Sequence, residues 1–406
     1  MVKPFRANLG VLVVFLFLIT VFPCITQEPQ ASREFSSSLF CDGKTASFSL
    51  RLSQAGCVSI SAGSKGRREK LRIWGPAWMD AGQFSITIPI EKVASKSGSV
   101  EFFTDELVPR LAIGRTGTGE LQFVHPMGLG WDPTRKELYV ADTGNDRIVR
   151  LGPDGRFIAQ YGGFGLALGD VSEEKEDSLD APWDVAPGGF SNFYVSDQNN
   201  DRICEFDAYK SFKGKFYPTI GDRNSRLSRP RGLSIDGENN IWVVDSRNDR
   251  VLKLAPSGAK LFELGGFGAG RWSFRDPTQV AVDDSGRIFV CDPGNHRVSV
   301  FDRLGSFISE IKDHLSSPTG IAIDPDGILS ICDEVTGELG LYTPAGIRIF
   351  WMNGITESDR FRAPADVTAT GRVIYLLDSG NNRVVILERR KTGRECTWQA
   401  LSRVVE

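Results

Sequence analysis

Two textures of apolar residues run through the chain. In residues 38–104 they alternate with polar ones: Phe48, Leu50 and Leu52, then Val58 and Ile60, Leu71 and Ile73, and Phe84, Ile86, Ile88 and Ile90. A period of two places them on one face of strands whose other face is wet. Turns at Ala55-Gly56, Gly63-Ser-Lys-Gly66 and Ala81-Gly82 separate the runs, which predicts a small antiparallel β-sandwich. Beyond residue 105 the runs are short, β-branched and nearly continuous, as in Leu138-Tyr-Val-Ala and Ile288-Phe-Val-Cys, with Gly, Asn and Asp between them. That is a strand-and-hairpin texture.

The second texture repeats. A proline opens a strand at Pro126, Pro182, Pro230, Pro277, Pro318 and Pro364. A second strand then ends in Asp142, Asp197, Asp245, Asp292, Asp333 or Asp378, and an Asn-x-Arg turn follows in five of the six copies. Successive aspartates lie 55, 48, 47, 41 and 45 residues apart. A period of about 40–50 residues holding several short strands is a propeller-blade signature. A lone four-stranded sheet with two apolar faces hides neither, whereas blades in a ring hide both. The chain is therefore expected to be all-β, a six-bladed β-propeller preceded by the small sandwich.

Asp and Asn hydrogen-bond nearby backbone N–H groups and tolerate unusual φ, and Arg forks onto carboxylates and carbonyls. Asp142 with Arg147, Asp197 with Arg202, Asp245 with Arg250, Asp292 with Arg297 and Asp378 with Arg383 are accordingly expected to tie hairpins together. The pattern recurs around the whole ring, so the structural role is preferred over a binding role. The fifth copy has Thr336 and Glu338 where Asn and Arg belong, and is expected to lack the tie.

At these residues the chain resembles the NHL-repeat family, with its Pro-x-Gly-hydrophobic-Ala opening and Val-Ala-Asp-x-x-Asn-x-Arg hairpin. The resemblance covers roughly residues 106–390 and implies the fold rather than an activity. The stretch from Lys65-Gly-Arg-Arg-Glu-Lys-Leu-Arg-Ile-Trp74 through Met79-Asp-Ala-Gly-Gln-Phe-Ser-Ile86 resembles the small Ig-like domains appended to bacterial extracellular proteins.

The ring must close. Residues 106–113 followed by a Gly-rich loop match the fourth strand and crossover of a blade, as at Lys260–Phe274, but lack three preceding strands. They are expected to form the outer strand of blade six beside residues 383–387, removing an open edge. Residues 396–403 are the rival for that place.

Lys3 and Arg6 precede an apolar run over residues 11–22, the layout of a signal peptide over residues 1–26, with an uncleaved anchor as the alternative. Residues 27–37 are polar and linker-like, the sandwich occupies 38–104, and the propeller fills 105–406. Membrane association follows only if the leader is retained; otherwise the protein is secreted or periplasmic. In an oxidising compartment Cys41 and Cys57 are candidates for a disulfide. Cys204, Cys291 and Cys332 fall on core positions of strands.

Net charge is −3, and neither this balance nor export suits a nucleic-acid binder. There is no nucleophile motif, no cofactor motif and no Cys/His ligand spacing. Some NHL-like propellers are amidating lyases that use metal with several histidines, but His125, His296 and His314 occupy three different repeat positions. Two residues after each anchor proline stand Gly128, Asp184, Gly232, Gln279, Gly320 and Asp366. Asp184, Gln279 and Asp366 are candidates to hold a hard cation at the channel, with water-mediated capping of backbone preferred. The crossovers and Asp hairpins share one face. The aromatic and guanidinium side chains there, Phe164, Trp183, Arg231, Trp272 and Phe361, are candidate contacts for a protein, peptide or glycan, or wedges between blades. The long crossover before Pro182, rich in Asp and Glu from Asp170 to Asp180, is read as a solvated charged loop, with a site for a cation or a basic partner as the alternative. The expected function is non-catalytic recognition, with a metal-dependent lyase or hydrolase at the channel as the alternative.

Overall fold

The computed structural model describes residues 107–162, 178–208, 212–216 and 226–390, and, as strand paths alone, 35–41, 45–52, 56–62, 71–79, 82–89, 97–106 and 391–399. The chain divides into two compact units, residues 1–106 with 391–406, and residues 107–390. In the first, Thr45–Leu52 pairs antiparallel with Phe35–Cys41 and with Gly82–Pro89, and Gly56–Ala62 pairs antiparallel with Leu71–Met79.

The second unit is a ring of six blades. Blade 1 comprises Gly128–Asp132, Glu137–Asp142, Arg147–Leu151 and Phe157–Gly162. Blade 2 runs from Pro182 to Phe216, blade 3 from Pro230 to Gly265, blade 4 from Val280 to Ile311, and blade 5 from Pro318 to Met352. In each, four strands pair in chain order. Blade 6 differs: Pro364–Ala369, Val373–Asp378 and Arg383–Gln399 are followed by the much earlier strand Ser97–Ile113. Residues 107–113 thus complete the last blade. Leu107 packs with Val385 and Leu387, and Ile113 with Val384 and Leu129. Arg110 meets Glu388 at 2.6 Å on the rim, where an exposed ion pair adds little.

Each blade interface holds one apolar cluster. Tyr139 and Ile148 of blade 1 meet Val185 and Phe193 of blade 2, and Phe289 and Val298 of blade 4 meet Ile321 and Ile331 of blade 5. Both faces of every sheet are buried this way, which is why the runs read as continuous. Cys204, Cys291 and Cys332 lie among them as buried cysteines. Burial pushes the Cys291 and Cys332 thiols up, so they stay protonated and inert.

A wedge recurs three residues before each anchor proline: Phe123, Leu179, Leu227, Phe274, Leu315 and Phe361. All but the half-buried Leu315 are buried, Phe361 to 5% exposure. Phe361 is therefore corrected from candidate ligand contact to core: the crossover must pin its return to the sheet, and a ring in the interface does so.

The Asp turn is a device for the same purpose. In the five complete copies, Arg Nε lies 2.6–2.9 Å from Asp Oδ2 and the aspartate is wholly buried. The turn Asn donates to the same oxygen, as Asn145 does to Asp142 at 2.8 Å. The other oxygen accepts a backbone N–H from the crossover entering that blade, Val124 for Asp142 and Arg275 for Asp292. Arg147 also donates to the carbonyls of Thr118, Gly119 and Gln122 in that crossover. The tie thus runs from hairpin to crossover rather than from hairpin to hairpin. Blade 5 corrects a second expectation. Asp333 has no Arg, yet its carboxylate accepts four backbone N–H groups, from Ser316, Ser317, Val335 and Thr336. The crossover tie survives and the guanidinium is what is lost; Glu338 turns to Arg348 instead.

Candidate functional site

Two features of the ring concentrate chemistry: the throat of the channel, and the crossover face above blades 2–4.

The first strands of the blades enclose a channel cavity of about 220 Å³ that reaches Gln279 and Asp366. At the throat, residues alternate Gly128, Asp184, Gly232, Gln279, Gly320 and Asp366 around the ring. The glycines are spacers. A Cβ on Gly128 would stand 2.5 Å from Asp184 Oδ1, one on Gly232 2.1 Å from Gln279 Oε1, and one on Gly320 2.7 Å from Asp366 Oδ1. Each polar side chain leans over the glycine of the blade before it. Asp184 accepts from Val185 N and Leu233 N at 2.7 Å, and Asp366 accepts from Leu129 N at 2.8 Å. Gln279 reaches across the axis, its Nε2 lying 2.9 Å from Asp184 and 3.4 Å from Asp366.

Both carboxyls are essentially buried. Burial pushes Asp184 up, with the Gln279, Leu233 and Val185 donors opposing. Burial and then the Asp184 charge push Asp366 well up. Two carboxylates bridged by one amide resist carrying two charges, so the pair keeps a proton near neutrality. Their oxygens are engaged by the ring's own N–H groups, and Gln279 presents its NH₂ inward. Backbone capping is thus direct rather than through water. Among the described residues, no three His, Cys, Asp or Glu side chains gather as metal ligands.

The crossover face is set by backbone. The residue before each of five anchor prolines adopts left-handed φ: His125 46°, Ala181 51°, Arg229 50°, Asp276 48° and Ala363 42°. In four cases the preceding blade's turn secures that N–H. Asp146 accepts from Ala181, Asp201 from Arg229, Asp249 from Asp276, and Asn382 from His125, all at 2.8 Å. Of these, His125, Arg229 and Asp276 are exposed, and Ala181 and Ala363 are half-buried. Above blades 3 and 4 stand Arg226, Arg229, Arg231, Arg247, Arg271 and Arg275, all exposed except half-buried Arg231. The Arg231 guanidinium lies 4.5 Å over the Trp183 ring. Trp272 is 57% exposed and Phe267 76%. Arg275 covers one side of Phe267 at 5.6 Å.

Residues 274–301, the fourth copy of the repeat, match the family model described as NHL repeat. The six-bladed ring carries an NHL repeat in its fourth blade. The chain is 28% identical over 162 residues to protein brain tumor of Drosophila melanogaster, covering 39% of this chain and 14% of that one. It is 38% identical over 86 residues to peptidyl-alpha-hydroxyglycine alpha-amidating lyase 1 of the same fly, covering 20% and 16%. The matches thus span about a sixth or less of these two relatives. A solved Bacteroides thetaiotaomicron protein of unknown function shares the fold at TM-score 0.53 and 9% identity, over 90% of this chain and 100% of that one.

Of the residues singled out by sequence, the structure brings Trp183 and Arg231 together, places Trp272 beyond them on the same face, and removes Phe361 to the core. Phe164, the acidic residues from Asp170 to Asp177, and the Cys41 and Cys57 side chains lie outside the described residues. Sequence reading missed Phe267, Arg229, Arg247 and Ser246. The signal was there for two of them: Arg229 precedes an anchor proline and Ser246 follows an anchor aspartate, repeat positions fixed on the crossover face.

Proposed function

We propose that this NHL propeller is an exported recognition protein that binds a protein or peptide on the crossover face over blades 2–4. The observation that carries this is the exposed pair Phe267 and Trp272 on a Gly-rich crossover, flanked by arginines and by the Trp183–Arg231 stack. Exposed aromatics beside guanidinium groups are what protein interfaces enrich at their centres. The rigid ring beneath holds these loops at fixed spacing. Export rests on the charged, apolar layout of residues 1–26.

A photo-cross-linking side chain at position 267 in the full-length protein tests it, with position 304 as control. Leu304 is 74% exposed but sits in the turn between the third and fourth strands, on the opposite face. Partner adducts from 267 and none from 304 are expected. Equal labelling from both positions, or labelling from 304 alone, refutes the assignment.

A further inference from the structure

The crossover face holds a cavity of about 280 Å³ lined by Arg229, Arg231, Ser246, Arg247 and Asp276. Two of its polar atoms have no partner: Ser246 Oγ, in a residue only 1% exposed, and Arg231 Nε. Native proteins leave few buried polar groups unanswered, because each forfeits its water without return. The repeat shows what Ser246 could have done. Thr143, its equivalent in blade 1, donates to the carbonyl of Pro182 in the next blade at 2.7 Å. Ser246 makes no such bond, and the residue lines the cavity.

The cavity is also preorganised. The Trp183 ring fixes the plane of Arg231. The N–H groups of Arg229 and Asp276 are held by Asp201 and Asp249, which fixes the backbone of both walls. Burial lowers the Arg231 pKa, with Asp276 and Glu334 opposing; guanidinium nonetheless remains a cation at any physiological pH.

We infer that this cavity binds a carboxylate of a peptide partner, forked by Arg231 and met by the Ser246 hydroxyl. The inference rests on the recognition reading above and names its anchoring contact. Three guanidinium groups and one carboxylate line the cavity, which suits a singly charged planar anion rather than a phosphate. The overall net charge of −3 likewise disfavours a phosphate polymer. The free terminal carboxylate of a peptide and an acidic side group share this chemistry.

The test follows arginine Nε–Hε resonances of the ¹⁵N-labelled full-length protein during titration. The probes are acetyl-trialanine with a free carboxylate, its C-terminal amide, amidated acetyl-Ala-Glu-Ala, inorganic phosphate, and a single-stranded hexaribonucleotide. A saturable shift with a carboxylate probe and none with trialanine amide is expected. Which carboxylate binds tighter tells terminus from side group. Affinity should fall roughly tenfold or more in Arg231→Gln and severalfold in Ser246→Ala. The serine variant removes a hydroxyl that bonds nothing, so its fold is not at risk. No saturable shift with either carboxylate, unchanged affinity in both variants, or tighter binding of phosphate or RNA overturns the inference. Cross-linking from position 267 reads the wider face separately: adducts that persist while carboxylates fail to bind sink the pocket and leave the platform.

Discussion

The side-chain amide of Gln279 donates to Asp184 Oδ2 at 2.9 Å across the channel, joining blade 4 to blade 2. The neutral NH₂ is essential to that bond, because a second carboxyl, Asp366, lies on its other side. Gln279→Glu would put three acids in one buried ring. It should lose about 3–5 kcal/mol of stability near pH 8, the range for an uncompensated buried charge. Denaturant unfolding checks this, and an unaltered midpoint would show the throat to be wetter than its geometry implies.

The carboxyl pair also sets a pH dependence. Both folded pKa values are raised above the unfolded carboxylate value, so the folded state binds more protons. The stabilisation is present at acid pH and is lost as pH rises from the carboxylate range through neutrality. Asp366→Asn removes one titrating group. Its melting temperature relative to wild type should therefore improve between about pH 5 and about pH 9. A difference that stays constant with pH contradicts the shared proton.

Phe361 and Trp272 are equivalent candidates in sequence and opposites in space. Phe361→Ala should cost about 3–5 kcal/mol through loss of a buried ring and the cavity left behind. Trp272→Ala should stay within about 0.5 kcal/mol of wild type, as exposed positions do. Paired unfolding curves decide, and a costly Trp272→Ala would mean that its ring packs on the propeller.

Alternating glycines are predicted to be spacers. Gly128→Ala places a Cβ 2.5 Å from the Trp183 carbonyl oxygen and from Asp184 Oδ1, and overpacking of this kind costs about 1–3 kcal/mol. Gly237→Ala, where nothing lies within 4 Å, is the control. Equal stability for the two variants would refute the close approach.

The Asp–Arg ties should be costly to open. Arg297 lies 2.9 Å from Asp292 and also holds the Gly270 and Ser273 carbonyls at 2.7 and 2.8 Å. Arg297→Ala strands a wholly buried aspartate, and about 3–5 kcal/mol is expected. Hydrogen exchange of the crossover over residues 266–276 would localise the loss, and unaltered protection there would place the energy elsewhere.

The sequence by itself determined the strands, the number of blades and the Asp–Arg ties. Those depend on local periodicity and on residues five apart in a turn, and six copies printed the pattern repeatedly. It also carried the closure of the ring, because the segment before Pro126 has the form of a fourth strand with no blade of its own. Only the tertiary structure decided what the loop residues do. Phe361 and Trp272 both sit on crossovers, and which one turns inward depends on the position in the wedge before the anchor proline, a register that no single loop reveals. Asp184 and Asp366 stand 95 and 87 residues from Gln279, and the three meet only because the ring brings alternate blades to one axis. The unpartnered hydroxyl of Ser246 is likewise a fact of three dimensions: a sequence shows which groups it carries, but only packing leaves one of them unanswered.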